Sequence, residues 1–226
     1  MTKLNLSLVV LLLSFGLIVN GQTVKIGAVN WADKNLAVSQ FRNGDNIPEV
    51  KTDEEWAKLG DQKKPAWCYY QNDSANGTKY GKLYNWYAVN DKRGLAPAGW
   101  HIATDDEWQL LIDGLGGEET AGIKIKSTTG WNNNGNGNNS AGFNGLAAGA
   151  RNYDGSFAEI GKTAFWWTFW VTKARQPFNP TYRFTTCNDN AVGRDNDNQG
   201  NGYAVRCIKE EKNVESIAWL IYLQSV

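Results

Sequence analysis

The chain has 226 residues, and its 23 Lys and Arg side chains balance its 23 Asp and Glu side chains. A chain this balanced gives no electrostatic case for binding nucleic acid or an anionic membrane surface. Its length suits one domain with a sizeable core, and no internal linker interrupts it.

The first residues are typical of a secretory signal peptide. After a positive charge comes an apolar run, Leu6–Val19, which is too short as a helix to cross a bilayer core of about 30 Å. The small residues Val19 and Gly21 predict cleavage between Gly21 and Gln22, which makes residues 1–21 the signal peptide. An uncleaved anchor is the less favoured alternative. We therefore expect a secreted or cell-surface protein with no membrane span after cleavage.

Three cysteines are consistent with export, because a disulfide persists in an oxidising compartment. They are Cys68, Cys187 and Cys207. The odd number leaves one thiol over, so the residues alone predict one structural bridge and one buried free cysteine.

Alternating apolar and polar residues predict an early strand. Thr23–Asn30 has the pattern of a half-buried strand, and Trp31–Phe41 continues it up to a turn at residues 42–45. Two helix starts follow, at Thr52 and Thr104, each with a Glu three residues later. This pattern is a capping box.

The middle and late segments predict further elements. Leu83–Val89 is apolar on most sides, which favours a buried helix, and Ile123 with Ile125 indicates a short strand. The aromatic run Phe165–Val171 and the alternating Tyr203–Ile208 are typical of strands.

Two long stretches are too rich in Asn, Asp and Gly for regular structure. Trp131–Asn144 and Asn188–Gly202 are therefore predicted to be loops, which in a compact domain are often functional. The tail Val214–Val226 is apolar. It is a further strand, an interaction segment or a reading-frame artefact, and the sequence does not choose among them.

A series of short motifs extends from about residue 24 to about residue 209. They are Asn35-Leu36, residues 41–45, Tyr80–Val89, Gly99-Trp100-His101, Thr104–Trp108, Leu115-Gly116-Gly117, Ser140-Ala141-Gly142-Phe143, Gly149-Ala150-Arg151, Asp154-Gly155-Ser156-Phe157, Ile160-Gly161, Trp166-Trp167 and Val205-Arg206-Cys207. As a set they resemble the Fibrobacter succinogenes major paralogous domain family of secreted and surface proteins in Fibrobacter and Bacteroidetes.

His101–Trp108 and the late Gly-Tyr-Ala-Val-Arg also resemble motifs of formylglycine-generating-enzyme-like domains. The resemblance implies an α+β, C-type-lectin-like fold over residues 22–213, with paired terminal strands, two capped helices and long Asn/Gly-rich loops. Residues 214–226 would form a separate apolar tail. The resemblance further implies a disulfide between Cys68 and Cys207, where the family often carries cysteine.

The chain departs from the family in three places. An aromatic stretch at residues 167–170 replaces a more polar one, Cys187 is not a family position, and the tail extends past the usual end. The only histidine, His101, lies in a motif with a structural explanation, and Cys187 and Cys207 are too far apart to be the close cysteine pair of formylglycine-generating enzymes. We expect no enzyme and no cofactor, with a formylglycine-generating-enzyme-like activity as the less favoured alternative.

Asp195–Gly200 has the opening spacing of a calcium loop, but its twelfth position is Arg206 instead of a glutamate. A solvated turn is therefore favoured, and Asp195 with Asp197 is a weak calcium candidate. The calcium-dependent sugar signatures of true C-type lectins, Glu-Pro-Asn and Trp-Asn-Asp, are missing.

Tryptophans within helix or turn patterns are expected in the core, whereas those that border polar loops are candidates for ligand contact. The leading hypothesis is a non-catalytic binding or adhesion module for an extracellular carbohydrate or surface protein. The alternative is a structural surface-assembly component. The predicted ligand surface consists of Trp131, Trp170, Arg175, Tyr182, Arg183, Arg194, Asp195 and Asp197.

Overall fold

The computed structural model describes residues 22–169 and 179–211. Within these ranges the chain forms an α+β domain with five α-helices and twelve strands. No helix of the described part is long and apolar enough to cross a membrane. The predicted signal peptide, Trp170, Arg175 and the apolar tail lie outside the described residues.

The helices are α1 Asp53–Asp61, α2 Ser74–Tyr80, α3 Trp86–Val89, α4 Asp105–Gly114 and α5 Glu118–Ile125. The strands are β1 Thr23–Ile26, β2 Val29–Ala32, β3 Trp67–Cys68, β4 Leu83–Asn85, β5 Trp100–Ile102, β6 Ala148–Arg151, β7 Phe157–Ile160, β8 Thr163–Trp167, β9 Thr181–Thr186, β10 Gly193–Asn196, β11 Gly202–Val205 and β12 Cys207–Lys209.

A four-stranded antiparallel sheet joins the two ends of the described domain. Its order is β1-β2-β12-β5, and Ile208 of the last strand lies opposite both Trp31 and His101. The first hairpin and the last strand therefore share one sheet.

The second sheet carries the late strands. Its order is β10-β9-β8-β6-β11-β4-β3, with β7 paired to β6 and an additional parallel pairing of β8 with β11. Strand β10 lies at the edge of this sheet and pairs antiparallel with β9.

Both predicted helix starts are confirmed. The Thr52 hydroxyl accepts a hydrogen bond from the Glu55 amide, and Thr104 forms the complete box, in which Glu107 also accepts from the Thr104 amide. Such a cap satisfies amides that have no partner within the helix. The first helix ends at Asp61, close to the predicted Gly60.

The core is dominated by aromatic rings, as predicted for the tryptophans of helix and turn patterns. The rings of Trp31, Trp108, Phe143 and Trp166 lie with neighbouring centroids 5.2–5.6 Å apart. Edge-to-face and tilted packing of this kind stabilises a core beyond the area that it buries.

Three early predictions of secondary structure were wrong. The single strand at Thr23–Asn30 is a hairpin, because Gly27 with φ +62° turns the chain between β1 and β2. Leu83–Val89 is buried as predicted but divides into β4 and the single turn α3. Ile123 and Ile125 belong to α5, where Ile125 points into the core.

Two late predictions also need correction. The predicted loop Asn188–Gly202 contains β10, because its Gly193–Asn196 segment pairs with β9. The predicted strand Tyr203–Ile208 is broken at Arg206, where the chain leaves one sheet for the other. The buried Arg206 guanidinium donates to the carbonyls of Ala32 and Phe143 at this crossing.

The predicted disulfide between Cys68 and Cys207 is wrong. All three cysteines are free and buried, and Cys68 and Cys207 pack in different hydrophobic clusters. Burial raises the pKa of the Cys68 and Cys207 thiols to about 12. They therefore behave as small apolar core residues.

Candidate ligand surface on the late strands

Strand β9 separates two environments. Thr181, Arg183 and Thr185 are buried on one side, whereas Tyr182 and Phe184 are half-buried on the other. This alternation follows from the two-residue period of a strand, which sends successive side chains to opposite faces of the sheet.

Three half-buried rings form what we call the aromatic face: Phe165, Tyr182 and Phe184. Phe165 on β8 lies directly opposite Phe184 on β9, so the two rings share a side of the sheet. The centroid of Tyr182 lies 5.8 Å from that of Phe165 and 5.7 Å from that of Phe184. The rings are thus continuous across two neighbouring strands.

Buried rings hold the aromatic face in place. Tyr203 stacks on Phe165 with centroids 4.8 Å apart and planes 13° apart, and it also contacts Tyr182 at 5.1 Å. Trp167 packs against both Tyr203 and Tyr182. Because these supporting rings are themselves buried, they hold the three half-buried rings in one arrangement.

A glycine on the edge strand makes room for one of these rings. Gly193 of β10 lies opposite Phe184, and a Cβ atom at this position would come within 2.4 Å of the Phe184 ring. The ring therefore lies over the backbone of β10, which only a glycine allows here without displacement of the ring.

Two carboxylates border the aromatic face. Asp195 is exposed and lies opposite Tyr182 in the β9–β10 register. Asp197 accepts a hydrogen bond from the Tyr203 hydroxyl. Burial, together with the negative charges of Asp195 and Asp197, raises the pKa of Tyr182 to about 12. Tyr182 thus keeps its proton at neutral pH and can donate a hydrogen bond.

The opposite side of β9 is tied to helix α4 by charge. Asp105 in the first turn of α4 accepts from the Arg183 guanidinium at 3.0 Å and from the Arg194 guanidinium at 2.9 Å. Arg183 also donates to Gln109 and is only 1% exposed. The prediction of Arg183 as an exposed ligand contact is therefore wrong, and Arg194 lies on the α4 side of the sheet.

Trp131 is also placed differently from the prediction. Its ring is only 5% exposed, and its indole N–H donates to the Ser127 hydroxyl and the Gly145 carbonyl. The ring closes the base of the Asn/Gly-rich loop, which explains its position beside polar residues. It does not lie on an open ligand surface.

Residues 24–209 match the family model of the Fibrobacter succinogenes major domain. The chain belongs to this family. No curated protein and no solved structure matched the chain. The matched range includes every strand and ring of the aromatic face, so the face is part of the family domain itself.

In this Fibrobacter succinogenes major domain, the single histidine is tied to a helix cap. His101 Nε2 lies 2.8 Å from the carboxylate of Glu107, which also accepts from the amide and hydroxyl of Thr104. Hydrogen bonding to Glu107 raises the pKa of His101, although burial opposes the rise. Burial alone would raise the pKa of Glu107, but its bonds to His101 and Thr104 outweigh burial and lower it.

Within residues 22–169 and 179–211, no three His, Cys, Asp or Glu side chains are grouped closely enough to hold a metal ion. The Gly200 amide donates to the Asn198 side chain, and the Asn201 amide to the Asn198 carbonyl. The segment after Asp197 is thus a turn stabilised by the side chain of Asn198.

The sequence-based ligand surface includes Tyr182, Asp195 and Asp197 but not the rings around them. The sequence predicts an aromatic strand that includes Phe165, but no prediction from the sequence includes Phe184. The signal was present in Thr181–Thr186, where polar and aromatic residues alternate with the period of a strand.

Proposed function

We propose that this chain is an exported, non-catalytic binding module whose ligand surface is the aromatic face and whose ligand is a polysaccharide. One observation carries the proposal. Three half-buried rings lie side by side on two strands and pack against Trp167 and Tyr203 on the same face of the sheet. A connected apolar surface rimmed by polar groups is typical of a recognition site.

The chemistry of the rim supports a sugar ligand. A pyranose ring has an apolar C–H face, which packs on an aromatic ring, and a circle of hydroxyls. The exposed carboxylate of Asp195 accepts hydrogen bonds from such hydroxyls, and the protonated Tyr182 hydroxyl donates one. Aromatic stacking and fixed polar groups together give affinity and orientation.

Export and a C-type-lectin-like fold are parts of the same proposal. The apolar run Leu6–Val19 supports export. The pairing of β2 with β12 and the long irregular segments between α5 and β6 support the fold, because paired terminal strands and long loops are its expected features.

The absence of catalysis is proposed because the one histidine already has a structural role. Its imidazole is bonded to the carboxylate that completes the α4 capping box. A general base must lie within hydrogen-bond reach of the proton that it removes from a substrate, and Nε2 of His101 is already bonded to Glu107.

The test is binding of the purified full chain to an array of neutral, basic and acidic polysaccharides, with and without calcium. We expect Phe184→Ala and Tyr182→Ala to weaken binding at least about fivefold each, because a stacked ring contributes on the order of 1–3 kcal/mol. Loss of binding on chelation of calcium would add a role for Asp195 and Asp197.

The matched control is Leu110→Ala. Leu110 is 66% exposed and belongs to α4, which packs against the other side of β9. It should bind like the wild type. If both ring variants bind as well as this control, and all three give the native circular dichroism spectrum, the aromatic face is not the ligand surface.

A further inference from the structure

We propose that the polysaccharide bound by the aromatic face carries protonated amino groups, as a polymer of non-acetylated amino sugars does. This inference rests on the proposed function, because it assigns the ligand class of the same surface. It is carried by the way in which strands β9 and β10 distribute their charges.

The sheet sorts positive and negative side chains to opposite sides. Arg183 and Arg194 lie opposite each other in the β9–β10 register, and both guanidinium groups reach Asp105 of α4. Asp195 is the next residue of β10 and lies opposite Tyr182. The strand period therefore sends the arginines towards α4 and the carboxylate towards the aromatic face.

The negative charge on this face is held in place. The hydroxyl of Tyr203 donates to Asp197, and the buried ring of Tyr203 stacks on Phe165. Asp197 is half-buried and Asp195 is exposed, so one carboxylate is fixed and the other can reach a ligand. The charges of the described residues that act on the Tyr182 hydroxyl are these two carboxylates, both of which raise its pKa.

An ammonium group would make two kinds of favourable contact with the rings and carboxylates of this surface. A cation is attracted to the negative face of an aromatic ring and, separately, to a neighbouring carboxylate. A neutral sugar would gain only stacking and hydrogen bonds. A uronic acid would place like charges next to Asp195 and Asp197, which opposes binding.

A polysaccharide can contact all three rings of the aromatic face, whereas an isolated amine cannot. The three rings extend the contact across β8 and β9, with Phe165 and Phe184 6.5 Å apart at their centroids. A repeating polymer presents an apolar sugar face and an ammonium group in each unit, so stacking and charge attraction act together along the rings.

The experiment is calorimetric titration of the full chain at low ionic strength with two oligosaccharides of equal length, one of glucosamine and one of N-acetylglucosamine. We expect the glucosamine oligomer to bind about fivefold more tightly, a size set by surface ion pairs. The preference should decrease as salt is added, because exposed charges are screened.

Asp195→Asn should abolish the preference, because the amide keeps an oxygen acceptor but removes the charge that attracts the ammonium group. The control is Asp106→Asn, an exposed carboxylate on α4, which should keep the full preference. An oligomer of lysine serves as the non-sugar cation and should compete only weakly.

Equal affinity for the two oligosaccharides in the wild type, or a preference that survives in Asp195→Asn, overturns this inference and leaves the polysaccharide proposal standing. Tight binding of the lysine oligomer with no binding of any sugar overturns both, and identifies a surface for basic peptides. Failure to bind any polysaccharide of the array overturns the proposed function and this inference with it.

Discussion

Replacement of Asp105 by alanine should be among the most damaging single changes in the described domain. Its carboxylate is 9% exposed and bonds two guanidinium groups, of which that of Arg183 is 1% exposed. Without Asp105, Arg183 keeps its positive charge inside the protein with the neutral Gln109 oxygen as its remaining side-chain acceptor.

The magnitude follows from burial. Removal of one partner from a buried ion pair costs about 3–5 kcal/mol, because the other charge is left uncompensated. For a domain of this length that corresponds to a fall in Tm of roughly 6–20 °C. Arg194 is 38% exposed, so Arg194→Ala should cost only about 0.2–1 kcal/mol.

The assay is urea unfolding followed by tryptophan fluorescence, with Asp106→Ala as the control. Asp106 is the next residue of the same helix turn but is exposed, so its replacement tests the effect of losing a carboxylate near the helix start. Addition of Arg183→Met to Asp105→Ala should recover part of the loss, because it removes the unpaired charge. A difference below about 1 kcal/mol between Asp105→Ala and Asp106→Ala would refute the reasoning.

Three further predictions follow from contacts described above. Glu107 raises the pKa of His101 above its usual 6.5, so the ion pair stabilises the fold fully below pH 6.5 and loses its effect as the pH rises through the raised pKa. Urea titrations from roughly pH 6 to pH 8 should therefore show the free energy of unfolding fall by less than about 1 kcal/mol. This fall should be absent in His101→Gln. The three free thiols should be inert to a thiol reagent in the folded protein and should all react in denaturant. If only one thiol reacted in denaturant, the other two would form a disulfide, which would contradict their free state. Gly193→Ala should displace the Phe184 ring and weaken polysaccharide binding as Phe184→Ala does, which binding assays on the two variants would check.

Local features of the fold, such as the helix starts, could be predicted from the sequence. Both helix starts followed from Thr52 and Thr104 because a capping box is defined by residues three positions apart. Short apolar segments were harder. Ile123 and Ile125 fit a strand as well as a helix, and what decides for α5 is the packing of Ile125 against the core.

The candidate site shows the same division. Alternation in β9 was readable, so the two sides of the strand could have been separated from the sequence. Which side would be exposed to a ligand could not be predicted, because Arg183 is buried by its ion pair with Asp105, 78 positions away. The position of Trp131 beside a polar loop had a different cause: its indole N–H donates to Ser127 before the loop and to Gly145 after it, a pairing that the loop composition does not indicate.

The pairing of β2 with β12 has a consequence for how this domain can be joined to other chains. Residues 31 and 208 face each other, so the polypeptide enters and leaves the domain within one small sheet. Insertion of residues 22–211 into an exposed loop of a host protein would therefore require little separation of the loop ends. The aromatic face belongs to the other sheet, so the junction would not interrupt the strands that carry it.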